Sequence, residues 1–361
     1  MPLHPLYLTP RGSLQGTTLP SPTIFGALCW ATATLYDEVT VRDLCASFEG
    51  EPRFVVSDAF PFVERDGRRL HFFPMPLLPE RLPATLGDDL KSKQEQTIIA
   101  GRQKKLKGAR YLSENLFAEV VSGRLDAQGL LQQVASGDAL RRGDCLLTQE
   151  EATKFGLMAR RARLLTDADV THNEIDRVTL AVAEGRLFQR EELFFADGAG
   201  LWCLMRVPAG AGGDKLSLLP LLRYLSDTGF GGDRTSGKGH FDIRLGDPDD
   251  VPLTQVESAD CWVSLSHYLP RPEEIAVWQS DASKGLRYNL VQWQAKHESS
   301  RSGGEAIFKP LRRLFAAGSV FPLTEKREWF GRAAWSGTHN GHPVYVGGFA
   351  LPAWAKLGGG G

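Results

Sequence analysis

The hydrophobic pattern predicts alternating short strands and helices over the first 250 residues. Strands are predicted at 6–8, 54–56 and 71–73, and a buried helix at Ser21, which would be the N-cap ahead of Pro22. Residues 192–195 and 201–205 flank an Asp-Gly-Ala-Gly turn and predict a hairpin. An amphipathic helix over 216–225, ended by Gly229, and a strand over 240–244 complete the series.

This β-α-β-β-α-β order, with an insertion, predicts a ferredoxin-like domain. Residues 247–252 have the composition of a linker, and strands at 262–265, 286–293 and 344–346 predict a smaller β-rich second domain. We therefore expect an α+β protein with two ferredoxin-like domains. The first would span 1–248 with an insertion around 80–165, and the second would span 253–361. The glycines at 358–361 are left out of the fold prediction.

Composition narrows the class of protein. A chain of 361 residues suits two domains, and a net charge of -1 gives no overall basic bias. The five cysteines include no Cys-x-x-Cys pair, so we expect no metal, no cofactor and a reducing cytoplasm. The N-terminus lacks the order of a signal peptide, and the longest apolar stretch, 23–36, is too short to span a bilayer. We expect a cytoplasmic protein with no membrane partner.

One segment departs from this neutral balance. Residues 91–110 carry seven basic side chains and one acidic one, a net charge of +6. A solvated lysine face and a phosphate-binding surface are equally good interpretations. The basic residues are Lys91, Lys93, Arg102, Lys104, Lys105, Lys107 and Arg110. A smaller basic cluster follows at Arg160, Arg161 and Arg163.

The densest chemical signal is a glycine-rich loop over 229–239 between the predicted helix and strand. Its N–H groups, hydroxyls and cations suit an anion, although a plain connecting loop is the simpler alternative. The candidate residues are Gly229, Phe230, Gly231, Gly232, Arg234, Thr235, Ser236, Gly237, Lys238 and Gly239. Residues 232–238 match G-x-x-x-x-G-K, but Gly239 replaces the Ser or Thr of a P-loop. The loop also leaves a helix and enters a strand, which is the reverse of a P-loop or a Rossmann turn, so nucleotide hydrolysis is rejected.

A helix, a glycine-rich basic loop and a strand in a ferredoxin-like domain resemble the RAMP proteins of CRISPR effector complexes. Further blocks, in order along nearly the whole chain, are similar to the fourth subunit of type III-A (Csm) complexes, in the Cas-five-like group. The equivalent subunit of type III-B or III-D complexes is the alternative. The departures are a longer chain and the acidic Asp233, which would weaken phosphate binding or pair with Arg234. The blocks are residues 17–28, 57–62, 73–76, 104–113, 172–177, 184–188, 315–321 and 342–345.

The resemblance implies a non-catalytic RNA clamp. Such a subunit holds the 5′ repeat tag of the crRNA and contacts the large cyclase/nuclease subunit and a RAMP backbone subunit. It meets target RNA only indirectly. Residues 91–110 would be a thumb-like insertion along the guide. Replacing Lys104, Lys105 and Lys107 should then flatten the log–log salt dependence of guide binding by roughly 2.

The resemblance also implies roles for single residues. The N–H groups of Gly231, Gly232 and Gly237 would contact phosphates and riboses, together with the side chains of Arg234, Ser236 and Lys238. Ser21 and Arg177 join the candidate RNA contacts, although Arg177 could equally pair with Asp176. Phe230 and Phe241 are candidates for base stacking, and core packing is preferred for Phe241.

Two other classes of function stay open. A metal-independent RAMP endoribonuclease would need a histidine near a cation, and His172, beside Asn173 and Arg177, is the strongest candidate. Cleavage of repeat RNA without metal, lost in His172→Ala, would favour this alternative. A sheet-edge interaction module without RNA is disfavoured by the loop and the +6 segment. The other histidines considered are His4, His71 and His240.

Overall fold

A computed structural model describes residues 2–79, 106, 108–175, 182–207, 217–279, 285–296, 308–339 and 342–357. The helices are α1 (Ser21–Leu35), α2 (Glu38–Ser47), α3 (Glu114–Val121), α4 (Ala127–Ser136), α5 (Gln149–Lys154), α6 (Leu218–Thr228) and α7 (Pro272–Gln279). The strands up to residue 250 are β1 (Leu3–Pro10), β2 (Leu14–Gln15), β3 (Val55–Val56), β4 (Phe60–Arg65), β5 (Arg68–Pro74), β6 (Tyr111–Ser113), β7 (Ala139–Arg142), β8 (Cys145–Thr148), β9 (Leu165–Ile175), β10 (Val182–Phe195), β11 (Ala199–Arg206) and β12 (Phe241–Leu245). The later strands are β13 (Cys261–Ser264), β14 (Leu290–Trp293), β15 (Arg312–Phe315), β16 (Val320–Pro322), β17 (Phe330–Gly331), β18 (Ala334–His339), β19 (His342–Val346), β20 (Phe349–Ala350) and β21 (Pro352–Ala355).

The N-terminal part forms the predicted ferredoxin-like arrangement. Strands β12, β1, β11 and β4 lie side by side in that order, and all three pairings are antiparallel. Helix α1 lies between β1 and β4 along the chain, and α6 connects β11 to β12. The two helices pack against each other and bury Phe25, Leu28 and Leu225. The predicted α+β class is confirmed.

Two local predictions were wrong. The N-cap of α1 is Pro20, which cannot cap with a side-chain hydrogen bond, and Ser21 is the first helical residue. The predicted hairpin between β10 and β11 does not form, because β10 pairs with β2 and β9 while β11 pairs with β1, β3 and β4. The turn at Asp197 and Gly198 instead passes the chain from one sheet to another. A tight hairpin forms earlier in the chain, where Asp66 and Gly67 join β4 to β5 with left-handed φ angles of 51° and 71°.

The described part of the predicted insertion, from residue 108 onward, extends the same sheet. Beyond β5 the order continues with β6, β8 and β7, and β6 runs parallel to β8. Helices α3, α4 and α5 belong to this extension. After this extension comes a long antiparallel ribbon of β9 and β10 that also pairs with β2 and that the sequence pattern did not indicate.

The C-terminal part has its own aromatic core. A three-stranded sheet of β16, β13 and β21 is accompanied by the pairs β14–β15, β17–β20 and β18–β19. Trp262 stacks on Phe330 with ring centroids 4.3 Å apart and on Phe321 at 4.6 Å. The domain boundary at 248–253 stays a prediction, because apolar side chains from both sides of it pack into one hydrophobic cluster.

A buried ion pair joins the two parts. The Nδ1 atom of His267 lies 2.7 Å from the carboxylate of Asp58, which also accepts the backbone N–H groups of Ser21 and His267. Burial alone would raise the pKa of Asp58 and lower that of His267. The pair reverses both, so the pKa of Asp58 is lowered and that of His267 is raised. In the described part of the chain, no helix is both long enough and apolar enough to cross a membrane.

Candidate nucleic-acid interface

The glycine-rich loop is closed at its base and open at its tip. Phe230 donates its N–H to the carbonyl of Gly239 at 3.1 Å, and Gly239 donates to the carbonyl of Ser13 at 2.9 Å. Gly239 has a φ of 68°, and a Cβ there would overlap the carbonyl oxygen of Phe230. Only glycine therefore fits this neck. The exposed tip comprises Gly231, Thr235, Ser236 and Gly237.

The tip offers fewer donors than the sequence predicts. Residues Arg234–Ser236 form a 3-10 turn, and the N–H of Gly237 closes it by donating to the carbonyl of Arg234 at 3.0 Å. That N–H is used within the loop, so the predicted phosphate contact from Gly237 is corrected. Among the described residues, no hydrogen bond uses the N–H groups of Gly231 and Gly232. The N–H of the exposed Thr235 likewise has no hydrogen bond among the described residues, so all three groups are backbone donors that the loop can present.

A buried carboxylate, Glu192, holds the loop against the ribbon. Its side chain is only 2% exposed and receives hydrogen bonds from Lys238 Nζ at 2.6 Å and Ser13 Oγ at 2.6 Å. Its second oxygen lies 3.0 Å from Nε2 of His172. Burial would raise the pKa of Glu192, but the hydrogen bonds from Lys238, Ser13 and His172 outweigh it and lower the pKa. We call these four residues the Glu192 cluster.

The cluster changes the role expected for Lys238. The sequence predicts a phosphate contact, but the lysine side chain is 20% exposed and its ammonium group is bonded to Glu192 and Ser13. Its charge is neutralised inside the protein, so Lys238 holds the loop in place. This pairing favours a structural role for Lys238 over the predicted phosphate contact.

Beside the tip, the ribbon carries an aromatic platform that sequence reasoning missed. The ring of Phe188 is 42% exposed and stacks on His172 with centroids 5.6 Å apart and an interplanar angle of 13°. The guanidinium of Arg190 lies 5.0 Å from the centroid of the same ring and also pairs with Asp233 in the loop. Asp233 of the loop therefore pairs with Arg190 of the ribbon. The alternation along β10 could have indicated this face, because residues 188 and 190 lie on one side of a strand.

The remaining candidates are dispersed. Phe230 is 3% exposed and packs on Phe241, so a base cannot stack on it in this structure and that expectation is corrected. Phe241 is fully buried, as preferred. Ser21 lies in the interior, where its hydroxyl accepts the N–H of His267 at 3.0 Å. Arg110 is exposed and pairs with Asp144, which precedes β8, whereas the loop leads into β12 at the other end of the strand order. Lys91, Lys93, Arg102, Lys104, Lys105, Lys107 and Arg177 lie outside the described residues.

The histidines considered for catalysis are held by other groups. His172 takes part in the Glu192 cluster, and His71 lies between Tyr7 at 3.0 Å and Glu114 at 2.8 Å. His4 contacts the carbonyl of Gly246, and His240 contacts that of Arg234. Within the described residues no group of three or more His, Cys, Asp and Glu side chains could hold a metal ion.

The family model of the RAMP superfamily matches residues 3–242. These residues include the ferredoxin-like unit, the ribbon and the glycine-rich loop. Because this match covers more than half of the chain, the protein belongs to the RAMP superfamily.

More specific similarities extend over the whole chain. It is 25% identical over 354 residues to the CRISPR system Cms protein Csm4 of Thermococcus onnurineus (strain NA1), which covers 97% of this chain and 96% of that protein. Its fold is similar to a chain in the crystal structure of the Csm3-Csm4 subcomplex in the type III-A CRISPR-Cas interference complex. The TM-score is 0.62 at 15% identity, over 95% of this chain and 98% of that chain. A chain of the Csm1-Csm4 cassette in complex with cA4 gives a TM-score of 0.57 at 19% identity, over 99% of this chain and 100% of that one.

Proposed function

We propose that this protein is the Csm4-type subunit of a type III-A CRISPR effector complex. It holds the 5′ repeat tag of the crRNA and links the large cyclase/nuclease subunit to the RAMP backbone. Similarity to the Csm4 protein over nearly the full length of both chains supports this assignment, as do the folds shared with the Csm3-Csm4 and Csm1-Csm4 structures. The complex acts in antiviral defence, and target RNA meets the subunit only through the guide.

The observation that carries the RNA-binding role is the pairing of the loop tip with the aromatic platform. Gly231 and Gly232 present N–H groups that suit phosphates and fix the position of a strand. Phe188 presents a ring on which an unpaired base can stack, and Arg190 keeps that ring next to the tip by contacting Asp233. Positioning contacts and base contacts are thus available at one place.

The same geometry supports a non-catalytic role. A general base must reach the substrate hydroxyl, whereas Nε2 of His172 is bonded to a buried carboxylate that also neutralises Lys238. We infer that His172 supports the platform. Purified protein incubated with labelled repeat RNA without metal should leave the RNA intact. Cleavage that disappears in His172→Ala would contradict this inference.

The platform is tested by Phe188→Ala in the assembled complex. Loss of one stacked base costs about 1–3 kcal/mol, so affinity for tag-bearing RNA should fall roughly 5- to 150-fold. Leu187→Ala is the matched control, because Leu187 is 69% exposed, adjacent, and on the opposite side of the strand. Equal effects of the two variants would contradict stacking on Phe188.

Tag binding itself is tested by the RNA that co-purifies with the complex. A subunit that holds the 5′ end of the guide should yield RNAs of several lengths that share one fixed 5′ end. Random 5′ ends in the wild-type complex would refute the proposed function.

A further inference from the structure

In addition to the glycine-rich loop, the protein has a cationic surface at the turn between β7 and β8. The Nε of Arg141 donates to the carbonyl of Gly143 at 2.7 Å. The side chain of Arg163 lies against the same glycine, with its Cγ 3.7 Å from the position that a Cβ would take. Arg110 pairs with Asp144, the next residue in the turn, at 3.5 Å. The fold thus brings together arginines from three distant parts of the chain.

Hydrogen bonds fix this arrangement. Arg142 is buried and donates to the carbonyls of Leu157 and Met158, which ties the segment leading to Arg160 against β7. The backbone N–H of Arg110 donates to the backbone carbonyl of Asp144 at 2.8 Å. A rigid support of this kind lowers the entropy that arginine side chains lose on binding.

We define the arginine surface as these residues together with the exposed pair that precedes Arg163. Its exposed members are Arg110, Arg160, Arg161 and Arg163, and Arg141 is half-buried beneath them with its guanidinium against Gly108. Counted with Asp144, the group carries +4, in a protein whose net charge is -1. Such a local excess creates a positive potential that attracts a polyanion.

The chemistry of the surface favours an RNA backbone over an acidic protein. Guanidinium groups match phosphate oxygens in bidentate pairs. A protein interface of ordinary size has an apolar centre, whereas the exposed side chains described in this cluster are guanidinium groups, with Met158 two residues before Arg160. We propose that the arginine surface binds the sugar–phosphate backbone of single-stranded RNA without regard to sequence, as a contact separate from the glycine-rich loop. This inference goes beyond tag binding and stands without it.

The test uses the full-length protein and a fluorescein-labelled oligouridylate of about 15 nucleotides, which lacks any repeat tag. Anisotropy titrations over a range of sodium chloride concentrations give the log–log salt slope. The Arg160→Ala/Arg161→Ala/Arg163→Ala variant should lower that slope by about 2, since each phosphate contact on a single strand contributes about 0.7. At about 0.1 M salt, such a change corresponds to roughly 100-fold weaker binding.

Two control variants make the result specific. Replacing Arg42, Arg223 and Arg313, which are exposed elsewhere, by alanine removes the same charge and should leave the slope within about 0.5 of wild type. The triple Arg→Lys variant of residues 160, 161 and 163 keeps the charge and should retain the slope. If the alanine variant unfolds, comparing the lysine variant with Arg161→Glu, which should lower the slope, tests the same claim.

Three results would overturn the inference. Wild-type protein that does not bind the oligouridylate would refute it, as would an unchanged slope in the alanine variant. Loss of the variant from the assembled complex with an unchanged RNA slope would identify the surface as a protein contact instead.

Discussion

Replacing Glu192 by glutamine distinguishes a structural Lys238 from an RNA-binding one. The substitution keeps the volume of the side chain but removes the charge that Lys238, Ser13 and His172 surround. Removing one partner of a buried ion pair costs about 3–5 kcal/mol. The side chains of Lys238 and His172 are 20% and 26% exposed, so water solvates them in part and reduces this cost. We expect Glu192→Gln to lower the free energy of unfolding by about 2–4 kcal/mol.

A double-mutant cycle isolates the interaction. Lys238→Met leaves the Glu192 carboxylate buried without its cation, and the combined variant removes both charges together. The cost of the double variant should therefore be smaller than the sum of the single costs by about 1–3 kcal/mol. Urea denaturation followed by tryptophan fluorescence measures the free energies of unfolding of the wild type and the three variants, and guide binding is measured on the same samples at several salt concentrations.

The opposite outcome is equally well defined. If Lys238 contacts a phosphate, Lys238→Met should leave stability unchanged and lower the salt slope by about 0.7. A coupling below about 0.5 kcal/mol with Glu192, together with that change of slope, would refute the structural role of the Glu192 cluster.

Two further predictions concern pH and the neck of the loop. Asp58 raises the pKa of His267 above its ordinary value of 6.5. The ion pair therefore contributes fully to the stability of the fold below about pH 6.5, and this contribution is lost as the pH rises through the folded-state pKa of His267. The thermal midpoint should fall over that range, and His267→Gln should flatten the dependence; an equally steep profile in the variant would contradict the pair's role. Gly237→Ala, with a φ of 85° and open space for a Cβ, should cost about 1–2 kcal/mol. Gly239→Ala should cost more in the same urea assay because its Cβ would also displace the carbonyl of Phe230, and equal costs would show that the neck tolerates the added atom.

The sequence predicts those features that depend on local periodicity. The strand at 6–8, the helix ended by Gly229 and the strand near 241 all form, because apolar spacing and a glycine cap act within a few residues. The position of the glycine-rich loop between helix and strand follows from the same patterns. Membership of the RAMP superfamily, predicted from the order of motifs, is also confirmed.

The roles of side chains within the interface depend on partners far along the chain. Lys238 and Glu192 are 46 residues apart, and nothing in either neighbourhood indicates that they meet. The hairpin prediction for β10 and β11 was wrong for the same reason: Asp197 and Gly198 make a turn, but pairing with β1 and β9 decides the direction of each strand. Local turn chemistry specifies a reversal, and only tertiary contacts select the neighbour.

The position of β1 also bears on synthesis at the ribosome. This strand is made first, yet its neighbours β11 and β12 begin at residues 199 and 241. At translation rates of about 5–20 residues per second, Leu6 and Leu8 remain without their sheet partners for roughly 10–40 seconds. During that interval the nascent chain exposes an apolar edge, so early association with a chaperone should raise the yield of assembled subunit.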